Sequence, residues 1–81
     1  MEIRYFSWLR ERVGAGSEQI ETSATTARDL LRELTAKSEA HAAAFADLSA
    51  IRVAIDQEMG DLDTDISAAK EVAFFPPVTG G

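Results

Sequence analysis

Glu71-Val72-Ala73-Phe74-Phe75-Pro76-Pro77-Val78-Thr79-Gly80-Gly81 is the stretch that decides the fold. Val72 and Phe74 fall on one face of an extended chain, Ala73 and Phe75 on the other, which predicts a last strand over Glu71–Phe75. Two prolines then stop it, because neither can continue a sheet ladder. Pro76 is restricted by Pro77, so the pair favours an extended, polyproline-like form. The chain closes on two glycines and a free α-carboxylate. Glycine lacks a Cβ, so a Gly-Gly end can enter a slot too narrow for any other dipeptide. Fully extended, residues 76–81 reach roughly 20 Å at about 3.3 Å each. That is enough to carry the carboxylate into another protein's pocket.

A strand as apolar as the last one belongs inside a sheet, and the other end of the chain offers its match. Glu2 to Leu9 alternate, with Ile3, Tyr5, Ser7 and Leu9 on a core face and Glu2, Arg4, Phe6, Trp8 and Arg10 on the other. Phe6 and Trp8 among charges mark either a contact surface or a site covered by a later loop. Val13-Gly14-Ala15-Gly16-Ser17 is a turn on its glycines, and Glu18–Thr22 a second strand that returns as a hairpin. Thr26 is an N-cap with Asp29 three residues on. Ala27, Leu30, Leu31 and Leu34 repeat at helical spacing, predicting a helix from about Ala27 to Lys37. Ser38 to Asp47 suggests a shorter helical piece, with Phe45 and Leu48 tucked in. Ile51, Val53 and Ile55 alternate with Arg52, Ala54 and Asp56 as a third strand. Gln57 to Asp61 reads as a turn with Met59 at its tip, and Asp61 to Ile66 as a short, charged edge strand. Ser67 to Lys70 turns the chain into the last strand.

The order is strand, strand, helix, strand, short strand, strand. One main helix must cover one face of one small mixed sheet, with the first and last strands central and parallel. The expected fold class is α+β, a β-grasp (ubiquitin-like) domain over residues 1–75 with an extended tail over 76–81.

Composition narrows the chemistry. With 81 residues, one domain is expected, burying about 60–65% of its unfolded surface. That leaves little room for a deep private active site. The absence of cysteine excludes disulfides, thiolate metal sites and a cysteine nucleophile. The single histidine, His41, excludes a multi-histidine metal site, and with only alanines and Glu39 nearby it reads as a surface residue. Asp61, Asp63 and Asp65 sit at calcium-loop spacing. Ile66 stands where that loop needs glycine and Val72 where it needs a bidentate glutamate, so calcium is rejected. The net charge of −6 argues against nucleic acid or an anionic membrane as partner and for a basic protein surface. No segment resembles a signal peptide or a membrane span, so a cytoplasmic protein is expected. The remaining reactive group is the Gly81 carboxylate. It is an anion at neutral pH and a poor electrophile, so acyl transfer from it requires activation by another enzyme.

Val72-Ala73-Phe74-Phe75-Pro76-Pro77-Val78-Thr79-Gly80-Gly81 resembles the C-terminus of the small, sulfur carrier subunits of molybdopterin synthase. Tyr5-Phe6-Ser7-Trp8-Leu9-Arg10-Glu11 and Val53-Ala54-Ile55-Asp56-Gln57-Glu58 fit the same family. The tail is the most specific part: a bare Gly-Gly is shared with ubiquitin and the thiamine-pathway carrier, whereas Phe-Phe-Pro-Pro is not. The resemblance implies that an ATP-dependent activating enzyme adenylates Gly81, and that sulfur replaces an oxygen to give a thiocarboxylate. The tail then enters the large synthase subunit, which holds the active site, and delivers sulfur to a pterin precursor. Gly80 allows close passage. This chain is expected to bind no cofactor or metal of its own, ATP being used by the activating enzyme, and two small with two large subunits suit the complex. Two departures stand out: Ala68-Ala69-Lys70 replaces an Asp-Gly-Asp-type turn, and Asp56 stands where Asn is common. A protein-conjugated modifier, the thiamine-pathway carrier and a plain interaction domain with an inserting tail are the competing readings.

Parity on strands expected to be adjacent puts Phe6, Met59 and Phe75, with Trp8, in an exposed apolar patch around the tail root. Arg10 lies at its rim, facing a partner carboxylate. Pro76, Pro77, Val78 and Thr79 complete the expected partner-binding set.

Overall fold

A computed structural model describes residues 1–77 of the chain. Five strands form one mixed sheet: β1 (Glu2–Tyr5), β2 (Ser17–Gln19), β3 (Arg52–Ile55), β4 (Glu58–Gly60) and β5 (Glu71–Phe75). Their spatial order is β2-β1-β5-β3-β4, with β1 and β5 parallel neighbours and the other pairs antiparallel. Helices α1 (Trp8–Val13), α2 (Ala27–Lys37) and α3 (Glu39–Ala44), with a 3₁₀ turn at Leu48–Ala50, complete the domain. This is the β-grasp arrangement expected from the order of elements. No helix of the described residues is long and apolar enough to cross a membrane.

The core lies between α2 and one sheet face. Ile3 and Tyr5 of β1, Val72 and Phe74 of β5 and Val53 of β3 are buried there against Ala27, Leu30, Leu31 and Leu34 of α2. The α2 residues recur one helical turn apart, so a single stripe enters the core. The Thr26 hydroxyl accepts from the Asp29 N–H at 3.2 Å, capping α2 where the sequence places it. Tyr5, Phe45 and Phe74 pack as an aromatic cluster, with Phe45 edge-on to Phe74 at 5.3 Å between ring centres.

Three local expectations are corrected. The first strand stops at Tyr5, because Ser7 has φ 58 and the chain then winds into α1; Gly14, at φ 92, closes that helix in the left-handed conformation. Leu9 is therefore buried by helical geometry. Trp8 packs partly buried against the core, with the Arg12 guanidinium 5.4 Å from its ring centre, so it leaves the predicted patch. Second, Met59 lies within β4, and the turn is at Asp56-Gln57, whose φ values of 49 and 71 give the twist a two-residue hairpin requires. Third, Asp61 to Ile66 forms no edge strand: Asp63 pairs with Arg28, Asp65 meets Thr26 in an isolated bridge, and Ile66 is buried.

The two family departures meet in one place. The Asp56 carboxylate accepts from the N–H groups of Lys70 and Glu71, both at 3.0 Å, and the Asp56 N–H donates to the Glu71 carbonyl at 2.9 Å. The β3–β4 turn thus ties down the start of β5. No residue from Ser67 to Lys70 adopts positive φ, so that turn needs no glycine.

Candidate functional site

The tail root sits where β5 leaves the middle of the sheet. The parallel β1 on one side and the antiparallel β3 on the other both hold β5. At its end, the Phe6 N–H donates to the Phe74 carbonyl at 3.1 Å, and Arg52 stands opposite Phe75. Pro76 and Pro77 follow, both half-buried.

Strand alternation decides which side chains surround this exit. Phe74 faces the core, so Phe75 faces outward and is half-buried. On that outer face Met59 is opposite Ala54, which is opposite Ala73. Phe6, just past β1, is 45% exposed and Met59 69% exposed. The predicted Phe6, Met59 and Phe75 thus share the side of the sheet turned away from α2, with Ala54 and Ala73 between them. Arg52, which the sequence reading left out of the site, sits at the tail end of the same face. Its guanidinium donates to the carbonyls of Ser49 and Ile51 at 3.1 and 3.0 Å, and its place opposite Phe75 follows from the alternation of β3. Arg10 is exposed on α1, against Gly16 and beside Phe6. Val78, Thr79, Gly80 and Gly81 lie outside the described residues.

A second polar group of side chains is internal. His41 is buried, not on the surface as its sequence neighbours suggested. Its Nε2 lies 2.7 Å from Glu18 Oε2, and its Nδ1 lies 2.6 Å from the Ser38 hydroxyl. Glu18 also accepts from the Tyr5 hydroxyl at 2.8 Å and from Lys37. Burial pushes the Glu18 carboxyl up, but the hydrogen bonds from Lys37, His41 and Tyr5 outweigh it and hold the group down at about 2. Burial, reinforced by the Glu18 bond, pushes the Tyr5 phenol well above its usual range. Each member already has a partner, so the group acts as a strut joining β1 and β2 to the ends of α2 and α3. Part of the signal was present in Ser38, three residues before His41, whose hydroxyl caps α3 by accepting from the His41 N–H.

Among the described residues no cluster of His, Cys, Asp or Glu is placed to hold a metal ion. What the arrangement offers is a firmly held strand end, an apolar patch beside it and a few exposed cations. That equipment suits presentation of a chain end to another protein.

The chain matches the model of the ThiS family over residues 3–81. It is 33% identical over 81 residues to the molybdopterin synthase sulfur carrier subunit of Haemophilus influenzae, covering 100% of this chain and 99% of that one. The Escherichia coli subunit of the same name is 32% identical with the same coverage. Among solved structures, H. volcanii small archaeal modifier protein 1 superposes with a TM-score of 0.73 at 27% identity, over 96% of this chain and 97% of that one. The chain belongs to the ThiS family and is, from end to end, a relative of the sulfur carrier subunits of molybdopterin synthase.

Proposed function

We propose that this protein is the sulfur carrier subunit of a molybdopterin synthase and that the Gly81 carboxyl group is its working part. A carboxylate oxygen attacks the α-phosphorus of ATP in an activating enzyme, pyrophosphate leaves, and an acyl adenylate forms. Hydrosulfide then attacks the acyl carbon, AMP departs and the S–H proton is lost, leaving a thiocarboxylate. Docked on the large synthase subunit, the tail gives up that sulfur to a pterin precursor, and two deliveries supply a dithiolene. The complex contains two small and two large subunits and works in the cytoplasm, where ATP is at hand. The observation that carries this reading is the end-to-end relationship to two carrier subunits. The central position of β5 supports it, because a strand held on both sides gives the tail a fixed base.

The intact mass of the protein, isolated with its partners, tests it. A fraction with one oxygen exchanged for sulfur is expected, lost when Gly81 is removed. Covalent adducts on lysines of other proteins, without any sulfur exchange, would show a modifier instead. Neither product in the presence of the activating enzyme and ATP would leave a docking domain without chemistry.

A further inference from the structure

Among the described residues Met59 is the most exposed large apolar side chain, at 69%. It stands on β4, an edge strand with a neighbour on one side only, and opposite it is the small Ala54. Its thioether sulfur is therefore open to small solutes. The other oxidisable side chains are shielded. Met1, the second of the two methionines, packs against the core, and its ammonium donates to the Ile20 carbonyl at 3.0 Å. Trp8 is partly buried, with the Arg12 guanidinium beside its ring. The chain has no cysteine to react first.

We propose that Met59 is an oxidation site, and that a peroxide acting there uncouples this chain from the protein that receives its tail. The identity of that protein, the synthase large subunit, rests on the function proposed above. The sulfur lone pair attacks one peroxide oxygen and the O–O bond breaks. That oxygen stays on sulfur, and the other takes both hydrogens and leaves as water. The thioether is oxidised by two electrons and the peroxide is reduced. A thioether is apolar and adapts to an uneven partner surface. A sulfoxide carries a strong acceptor oxygen, and docking strips water from it that an apolar surface cannot replace. Met59 shares the outer face with Phe6 and Phe75, at whose end the tail leaves β5, so a protein that takes in the tail closes over it. The Met59 side chain is no part of the core cluster, so the added oxygen leaves the fold alone. A sulfoxide reductase reverses the step: two thiols become a disulfide and the oxygen departs as water.

Hydrogen peroxide on the purified chain, its tail still ending in a carboxylate, tests the site. Oxygen added at Met59 and oxygen exchanged for sulfur at Gly81 raise the intact mass almost equally, so peptide fragmentation has to locate the change. The oxygen should appear on Met59 well before Met1. The oxidised chain should melt within a few degrees of the untreated one by circular dichroism. It should bind the purified large subunit about tenfold more weakly by calorimetric titration. Methionine sulfoxide reductase with a dithiol should restore the affinity. Met59→Leu should show one affinity before and after peroxide, whatever that affinity is. Oxygen found first on Met1, a collapse of melting on oxidation, undiminished binding by the oxidised chain, or a peroxide effect that Met59→Leu shares would each overturn the site and leave the carrier function standing. Failure of the untreated chain to bind the large subunit would overturn the carrier function and the uncoupling together, with fragmentation still deciding where the oxygen goes.

Discussion

Glu18 is a carboxylate whose surroundings favour its ionised form. It accepts from Tyr5, His41 and Lys37, and together they hold its pKa at about 2 against an ordinary value near 4.5. A depressed pKa in the folded state means stabilisation that is complete above the unfolded value. It is lost as pH falls from about 4.5 towards 2. The shift corresponds to at most about 3 kcal/mol, which for a domain of this size caps the melting-temperature change at roughly 20 °C. Glu18→Gln should therefore melt lower at pH 7 and show a shallower fall between pH 4.5 and 2, as read by circular dichroism. An unchanged acid limb in that variant would assign acid sensitivity to other carboxylates. The strut was hard to read in the sequence because its halves are far apart. His41 and Glu18 are 23 residues distant, and the chain around His41 is alanine. Pattern within a window sees a residue's own element, and this one is defined by the neighbour it meets across the fold.

At the scale of elements, α2 and β5 were legible to the residue, α2 from its capping Thr26 and the buried stripe Ala27, Leu30, Leu31 and Leu34, and β5 from an apolar run stopped by two prolines. Helix α1 was not. Ile3 and Tyr5 alternate as a true strand, and Ser7 and Leu9 continue the alternation by coincidence after the backbone has turned at Ser7. A six-residue helix is too short for its own period to compete. The Asp-rich stretch misled in the opposite direction: its alternation comes from side chains bonding backbone N–H groups in turns, as Asp61 does to Asp63 and Asp65 to Ser67. The reliable parity is that of β5, and it separates two adjacent phenylalanines. Phe74 is fully buried, so Phe74→Ala should cost about 3–5 kcal/mol and collapse the melting temperature. Phe75 faces the other way. Phe75→Ala should leave melting within a few degrees while weakening binding to the large subunit, since buried aromatic anchors often contribute about 2 kcal/mol or more. Calorimetry and titration on both variants check this, and a collapse of melting in Phe75→Ala would return that ring to the core.

For the molecule as a whole, the sheet order matters more than any single contact. The most apolar strand, β5, is the middle strand of the sheet, between β1 and β3, and it runs straight into Pro76-Pro77. The tail therefore starts from the most firmly held strand in the protein, pinned by β1, by β3 and by the Asp56 carboxylate at its first residue. A fixed base makes the point where the tail leaves the sheet a property of the whole fold. If Gly81 is the sulfur acceptor, its carboxyl carbon must arrive at one point in the activating enzyme and another in the synthase. One alanine added after Gly81 moves that carbon outward by about 3.5 Å and puts a methyl where glycine is required. A displacement of about 1 Å can already cost a hundredfold in rate. The extended protein should thus fold and dock through its patch, yet accept little sulfur and yield little molybdopterin in a synthase reconstituted with activating enzyme, ATP, sulfur donor and pterin precursor. Gly80→Val should behave alike, because a β-branched side chain would narrow the passage into the partner site. Near-normal turnover by the lengthened chain would remove Gly81 as the carrier, and it would do so without disturbing anything concluded about the fold.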